Sequence, residues 1–270
     1  MNAIRRLQEV YSPGEARAVY RLVMETRFHL SMTDILLGKD RELSPNDLAE
    51  WENILSRLLH GMPVQYVLGE AEFRGMRLHV EPGVLIPRPE TAQLVDALLQ
   101  EAAEGCRVLE IGTGSGCIAV ALAKAGCRVT ATDVSPVALR VARGNAADQG
   151  VEVDFVEDDV LHTRLPMAMW DMVVSNPPYI CQREAAEMEP LVLAHEPHEA
   201  LFVPDHDPLL FYRTILELAA SRLAPSGRVY FEINRLYGDD LCALARGMGF
   251  VHTALWQDSF GNNRFVKCSR

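Results

Sequence analysis

The chain has 270 residues, 49% hydrophobic and 23% charged, enough for one large domain or a domain with a small appendage. No run approaches the roughly 20 apolar residues of a membrane span. The net charge of −11, without any basic run, argues against a nonspecific nucleic acid binder and suits a protein partner that is basic where it docks.

The start, Met1-Asn2-Ala3-Ile4-Arg5-Arg6, leads into an amphipathic stretch rather than an apolar signal core, so a cytoplasmic protein that keeps away from membranes is expected. Ser12-Pro13-Gly14-Glu15 supplies an N-cap, a proline at the first helical position and a capping-box acid for a helix reaching Phe28. Ser44-Pro45-Asn46-Asp47 repeats the signal, and Leu48, Trp51, Leu55, Leu58 and Leu59 recur at helical spacing before Gly61 ends the helix. Residues 1–62 therefore read as a helical module. The alternation of Met76, Leu78 and Val80 makes 63–84 a linking β-hairpin.

From residue 85 to 270, strands alternate with helices, which implies a doubly wound, mostly parallel α/β sheet. Seven strands are predicted, at 107–111, 128–132, 151–156, 171–175, 228–233, 251–257 and 264–269. The last two, joined by Ser259-Phe260-Gly261-Asn262-Asn263, read as a hairpin, so one edge should be antiparallel. The six cysteines show no C-x-x-C pair, and no histidine spacing suits zinc, so free thiols and no metal site are expected.

The first of these strands runs into Gly112-Thr113-Gly114-Ser115-Gly116 and then an apolar helix, the layout of a nucleotide-binding strand, turn and helix. Cys117 occupies the third glycine position of a dinucleotide fingerprint, and the Gly-Lys-Ser/Thr of a P-loop is absent, so a pyrophosphate is not the target. Glu110 ends the first strand, Asp133 ends the second, where it can accept both ribose hydroxyls, and Glu157-Asp158-Asp159 ends the third. Acids at three strand ends suit a cationic ligand with ribose and adenine but no phosphates, a description that S-adenosylmethionine meets. Gly112 to Gly116, Asp133 and Asn176 are its expected contacts, with Glu110 ordering the loop or meeting the ligand's positive end, and Asp159 and Val160 near the adenine.

The fourth strand ends in Asn176-Pro177-Pro178-Tyr179. Neither proline has an N–H, and each residue before a proline is pushed toward extended geometry, so the segment can extend neither ladder nor helix. It presents an amide side chain, a free carbonyl and an aromatic ring, the parts needed to hold a planar NH2 group by its two hydrogens. A proline-rich turn capping a buried strand would look the same locally.

These motifs resemble the HemK-type release-factor glutamine methyltransferases over nearly the whole chain. The resemblance also covers Pro63-Val64-Gln65-Tyr66, Leu85-Ile86-Pro87-Arg88-Pro89-Glu90-Thr91, Glu196-Pro197, Phe231-Glu232-Ile233, and Asp258 with Gly261 and Arg264. Three positions depart from the family pattern: Ala92 stands where an acid is usual, His206-Asp207-Pro208-Leu209 replaces Asp-Gly-Leu, and Tyr237 replaces a common Gln. The resemblance implies methylation of the glutamine in the Gly-Gly-Gln loop of class I peptide chain release factors, with S-adenosylhomocysteine as product, and release-factor docking by the helical module.

An amide nitrogen is a poor nucleophile, so the site must supply position and acceptors as positive charge develops, and its proton can leave after attack. Asn176 and the Pro177 carbonyl are the expected acceptors, with Tyr179 packing on the amide plane and Pro178 completing the substrate contact. A monomer without stable nucleic acid binding is expected. Two alternatives remain open on the residues alone, an amino-methyltransferase acting on a base of RNA or DNA, which would share the Asn-Pro-Pro-Tyr segment, and a non-catalytic cofactor-binding scaffold.

Overall fold

The computed structural model describes residues 3–270; Met1 and Asn2, part of the amphipathic start, lie outside the described residues. The chain forms two compact units, the first reaching Glu70 and including Glu189–His195, the second comprising Ala71–Met188 and Glu196–Arg270.

The first unit holds helices α1 (Ala3–Leu7), α2 (Pro13–Arg27), α3 (Met32–Leu36), α4 (Pro45–Leu59) and α5 (Val64–Leu68). Ser12 and Glu15 close the expected capping box on α2, and Gly61, with φ of 82°, follows the end of α4. The α2 and α4 stripes meet in one apolar core, where Tyr20 and Trp51 pack edge to face at 5.5 Å. Leu36 and Leu37 lie outside that core, 76% and 71% exposed. Residues 64–68 form a helical turn, not part of the hairpin, which occupies only β1 (Glu70–Phe73) and β2 (Met76–His79). The short alternation there spans a few residues, too few to separate a strand from a helical turn by period.

The second unit continues with α6 (Pro89–Glu101), β3 (Arg107–Ile111), α7 (Cys117–Lys124), β4 (Arg128–Asp133), α8 (Pro136–Asp148), β5 (Asp154–Glu157) and β6 (Trp170–Ser175). Next come β7 (Ile180–Cys181), the first unit's α9 (Pro190–His195), α10 (His198–Leu201), β8 (Phe202–Val203), α11 (Leu210–Arg222), β9 (Leu223–Glu232), α12 (Gly238–Gly247), β10 (His252–Gln257) and β11 (Asn263–Ser269). Seven strands form one sheet in the order β10-β11-β9-β6-β3-β4-β5. Only β10–β11 and β11–β9 pair antiparallel, as the terminal hairpin implied. The small parallel pair β7–β8 has no counterpart in the sequence reading, because two-residue strands carry no periodicity.

After β3 the chain builds β4 and β5 on one side and then returns to place β6 on the other, so the strand order reverses between β3 and β6. Ligands bind outside the carboxyl ends of parallel strands at such a switch point. Register aligns those ends: Ile111 pairs with Thr132 and Ser175, Asp133 with Glu157, and Ser175 with Phe231. Glu110, Asp133, Asn176 and Glu232 are therefore gathered at one edge by hydrogen-bond geometry alone. Apolar side chains cover both faces of the sheet in two clusters, one with α6 and α7, the other with α11 and α12.

Candidate active site

A cavity of about 310 Å³ opens at this switch point, a size that suits a small-molecule site. Its walls include Glu110, Gly112 to Ser115, Asp133, Asp158 to Leu161 and Asn176 to Pro178, closed by Arg88, Thr91, Glu199, Phe211 and Ile215.

The glycine loop is held from behind. The N–H groups of Gly112 and Thr113 both donate to the Thr132 carbonyl at 2.9 Å, and buried Asn145 donates to the Ser115 carbonyl at 2.8 Å. Gly112 and Gly114 have φ of 75° and 55°, a region costly for other residues. Gly116 does not line the cavity. A Cβ there would lie 3.0 Å from that of Ala142, so this glycine lets α7 pack on α8.

Glu110 is 1% exposed. Its Oε2 accepts from the Thr113 hydroxyl at 2.8 Å, which orders the loop, while buried Oε1 has no well-formed hydrogen bond among the described residues. Burial pushes this carboxyl up to about 8; the Thr113 hydroxyl opposes the shift and the Asp133 charge adds to it. Asp133 accepts from the Gly114 N–H and the Ser135 N–H, both at 2.9 Å, so one oxygen is fixed from each side and each keeps lone pairs for a further donor. Burial raises Asp133 too, against its backbone hydrogen bonds. Asp159 caps the turn at 160–162, accepting from the Leu161 N–H at 3.0 Å; its partner His162 holds it below the usual carboxylate range.

At the other end of the cavity Asn176 Nδ2 donates to Thr91 Oγ1 at 3.4 Å, and the Thr91 hydroxyl donates to Glu232 Oε2 at 2.7 Å. Tyr179 does not line the cavity. Its ring packs on the apolar core and its hydroxyl donates to Glu232 Oε1 at 3.3 Å, while its carbonyl accepts from Asn234 at 3.1 Å. The hydroxyl is thus committed to a buried carboxylate behind the wall. Glu232, 1% exposed, is pushed up to about 7 by burial, against the Thr91 hydroxyl and the nearby Arg264. Arg88 pairs with buried Glu196, whose Oε2 also accepts from the Ile86 N–H at 3.3 Å.

Thr91 and Glu232 carried no assigned role in the sequence. They lie 141 positions apart, and only the strand-end register and the start of α6 bring them together. Their nearest signal was inclusion in the two family-like segments.

The donor set fits S-adenosylmethionine. A buried carboxylate oxygen short of a partner suits a positively charged end, Asp133 suits ribose hydroxyls, and the apolar wall suits an adenine. A mostly parallel Rossmann-like sheet with this glycine loop and these strand-end acids defines an S-adenosylmethionine-dependent methyltransferase. The methyltransferase small domain model matches residues 89–196, and the PrmC N-terminal domain model matches residues 1–69. The chain belongs to the release factor glutamine methyltransferase family. It is 43% identical to the release factor glutamine methyltransferase of Bacteroides thetaiotaomicron over 98% of this chain and 96% of that one. With that of Flavobacterium psychrophilum it shares 39% identity over 98% and 95%. The ribosomal protein L11 methylase of Lactobacillus delbrueckii subsp. bulgaricus shares the fold, with a TM-score of 0.51 at 21% identity over 71% of this chain and 83% of that one.

Proposed function

We propose that this enzyme transfers a methyl group from S-adenosylmethionine to the side-chain amide nitrogen of the Gly-Gly-Gln glutamine in class I peptide chain release factors. The observation that carries the reading is the Asn176-Pro177 pair at the cavity wall, next to the strand-end acids in register. S-adenosylmethionine supplies an electrophilic methyl group, and S-adenosylhomocysteine is the product. Asp133 would bind the ribose hydroxyls, Glu110 would meet the positive end, and Asp159 and Val160 would flank the adenine. Asn176 Oδ1 and the Pro177 carbonyl accept the two amide hydrogens, which orients the nitrogen lone pair and stabilises the charge that develops on it. Transfer would form the N–C bond as the S–C bond breaks, and the nitrogen would then lose one proton to water. The gain is positional and electrostatic, so no general base is required.

The helical module of residues 1–62 is assigned to docking the release factor, supported by the exposed Leu36 and Leu37 in the first unit. The protein is assigned to the cytoplasm, as a monomer without stable nucleic acid binding. Labelled methyl groups offered in parallel to release factor, total RNA and total DNA test the assignment. Label on the glutamine alone supports it; label on a nucleic acid base would replace it with the amino-methyltransferase reading.

A further inference from the structure

Asn176 can accept a substrate hydrogen only with its oxygen toward the cavity, and an amide side chain has no intrinsic preference between its two ends. We propose that Glu232 and Thr91 form a relay that sets which end of the Asn176 amide faces the substrate. This inference deepens the glutamine-methylation reading and rests on it.

The direction of each hydrogen bond follows from the donor count. Ionised Glu232 can only accept, and its two oxygens face two hydroxyls, Thr91 at 2.7 Å and Tyr179 at 3.3 Å. The single Thr91 hydrogen is then committed to Glu232. Thr91 Oγ1 can only accept from Asn176, so the atom facing it must be the NH2 group, and Oδ1 is turned the other way. A proton on Glu232 reverses the chain. The carboxyl can then donate to Thr91, the threonine hydroxyl turns toward Asn176 and prefers its oxygen, and the amide presents NH2 to the NH2 of the incoming glutamine. Two donors face each other and the acceptor is lost.

The groups around Glu232 pull both ways. Arg264, itself paired with Asp258 at 3.2 Å, favours the ionised form; burial and the Glu90 charge favour the protonated one, and Tyr212 donates to the Glu232 backbone carbonyl at 3.3 Å. The balance lies near 7, within reach of ordinary changes in pH. Thr91 and Glu232 are positioning residues, since their effect on the reaction passes through Asn176.

Single-turnover methylation of a class I release factor, with tritiated S-adenosylmethionine at saturation, tests the relay across pH 5.5 to 8.5. The parent rate should rise through about pH 7. Thr91→Val should lower the rate about tenfold or more and erase that rise, with cofactor affinity and the release-factor KM within about threefold of the parent. Thr91→Ser, which restores the hydroxyl, should recover most of the rate and the pH dependence. Glu232→Gln, which cannot ionise, should show residual activity without the step. Equal impairment by Val and Ser, a step that persists in Thr91→Val or Glu232→Gln, or a Thr91→Val rate within threefold of the parent each overturns the relay. A parent that methylates no release factor would instead sink the functional assignment, so the two failures are distinct.

Discussion

Glu110 and Glu232 are both strand-end carboxylates, both about 1% exposed, and both raised by burial, yet they are served differently. Glu232 has a hydroxyl donor on each oxygen, from Thr91 and Tyr179. Glu110 has one on Oε2 and none well formed on Oε1 among the described residues. A buried polar atom without a partner costs roughly 1–3 kcal/mol, more for a charge. The contrast separates a carboxylate completed by the chain's own side chains from one with an oxygen left over for a further donor. The clamp end of the site is preorganised internally by side-chain hydroxyls, and the glycine-loop end is not.

The largest effect should come from breaking the clamp while sparing the cradle. Asn176→Ala removes the acceptor for the amide hydrogen, and the transfer rate should fall about 100-fold or more while calorimetric affinity for S-adenosylmethionine stays near the parent's. A single-turnover rate within about threefold would place Asn176 outside the chemistry, since that is under 1 kcal/mol of barrier.

Asp133→Ala is the converse. It leaves Thr91, Glu232 and Asn176 untouched but removes the ribose acceptor, and cofactor affinity should drop by roughly 1.5–3 kcal/mol. If calorimetry finds equal affinities, the ribose assignment fails. At saturating cofactor the variant's methylation rate should approach the parent's.

The third effect concerns protons. Glu110 has a folded-state pKa of about 8 against an ordinary 4.5, so its neutral form is favoured in the cofactor-free protein. The stability this contributes is fully present below pH 4.5 and is lost as pH rises through about 8; the Glu232 contribution is lost through about 7. Melting temperatures of the free protein should therefore fall from pH 5 to 9, and Glu110→Gln should flatten the upper part of that fall. A cationic ligand favours ionised Glu110, so cofactor binding below pH 8 should release protons and tighten as pH rises. Calorimetry in buffers of different ionisation enthalpy measures that release, and proton uptake would contradict the Glu110 assignment.

The smallest change sharpens the contrast. Tyr179→Phe keeps the packed ring but removes one of the two donors to Glu232, which favours the protonated carboxyl. The rate at pH 8 should change only a few-fold, with its rise displaced to higher pH. An unshifted profile would mean that the Tyr179 hydroxyl does not bear on Glu232.

The elements and the cofactor end could be read from the chain because their signals are local. The capping box at Ser12 and Glu15, the glycine loop after β3 and the acid after β4 each lie within a few residues of the backbone feature that needs them. Prolines after Asn176 announce a strand end wherever the strand goes. What only the tertiary structure decided lies across the sheet. The partnership of Thr91 with Glu232, the commitment of the Tyr179 hydroxyl to the same carboxylate, and the pairing of Arg88 with Glu196 depend on which strand ends become neighbours. The close approach of Gly116 to Ala142, where α7 packs on α8, was likewise invisible in the loop motif. Backbone conformation is dictated within a few residues by sterics and capping, whereas the partner of a buried polar group is fixed by register and helix packing over many tens of residues.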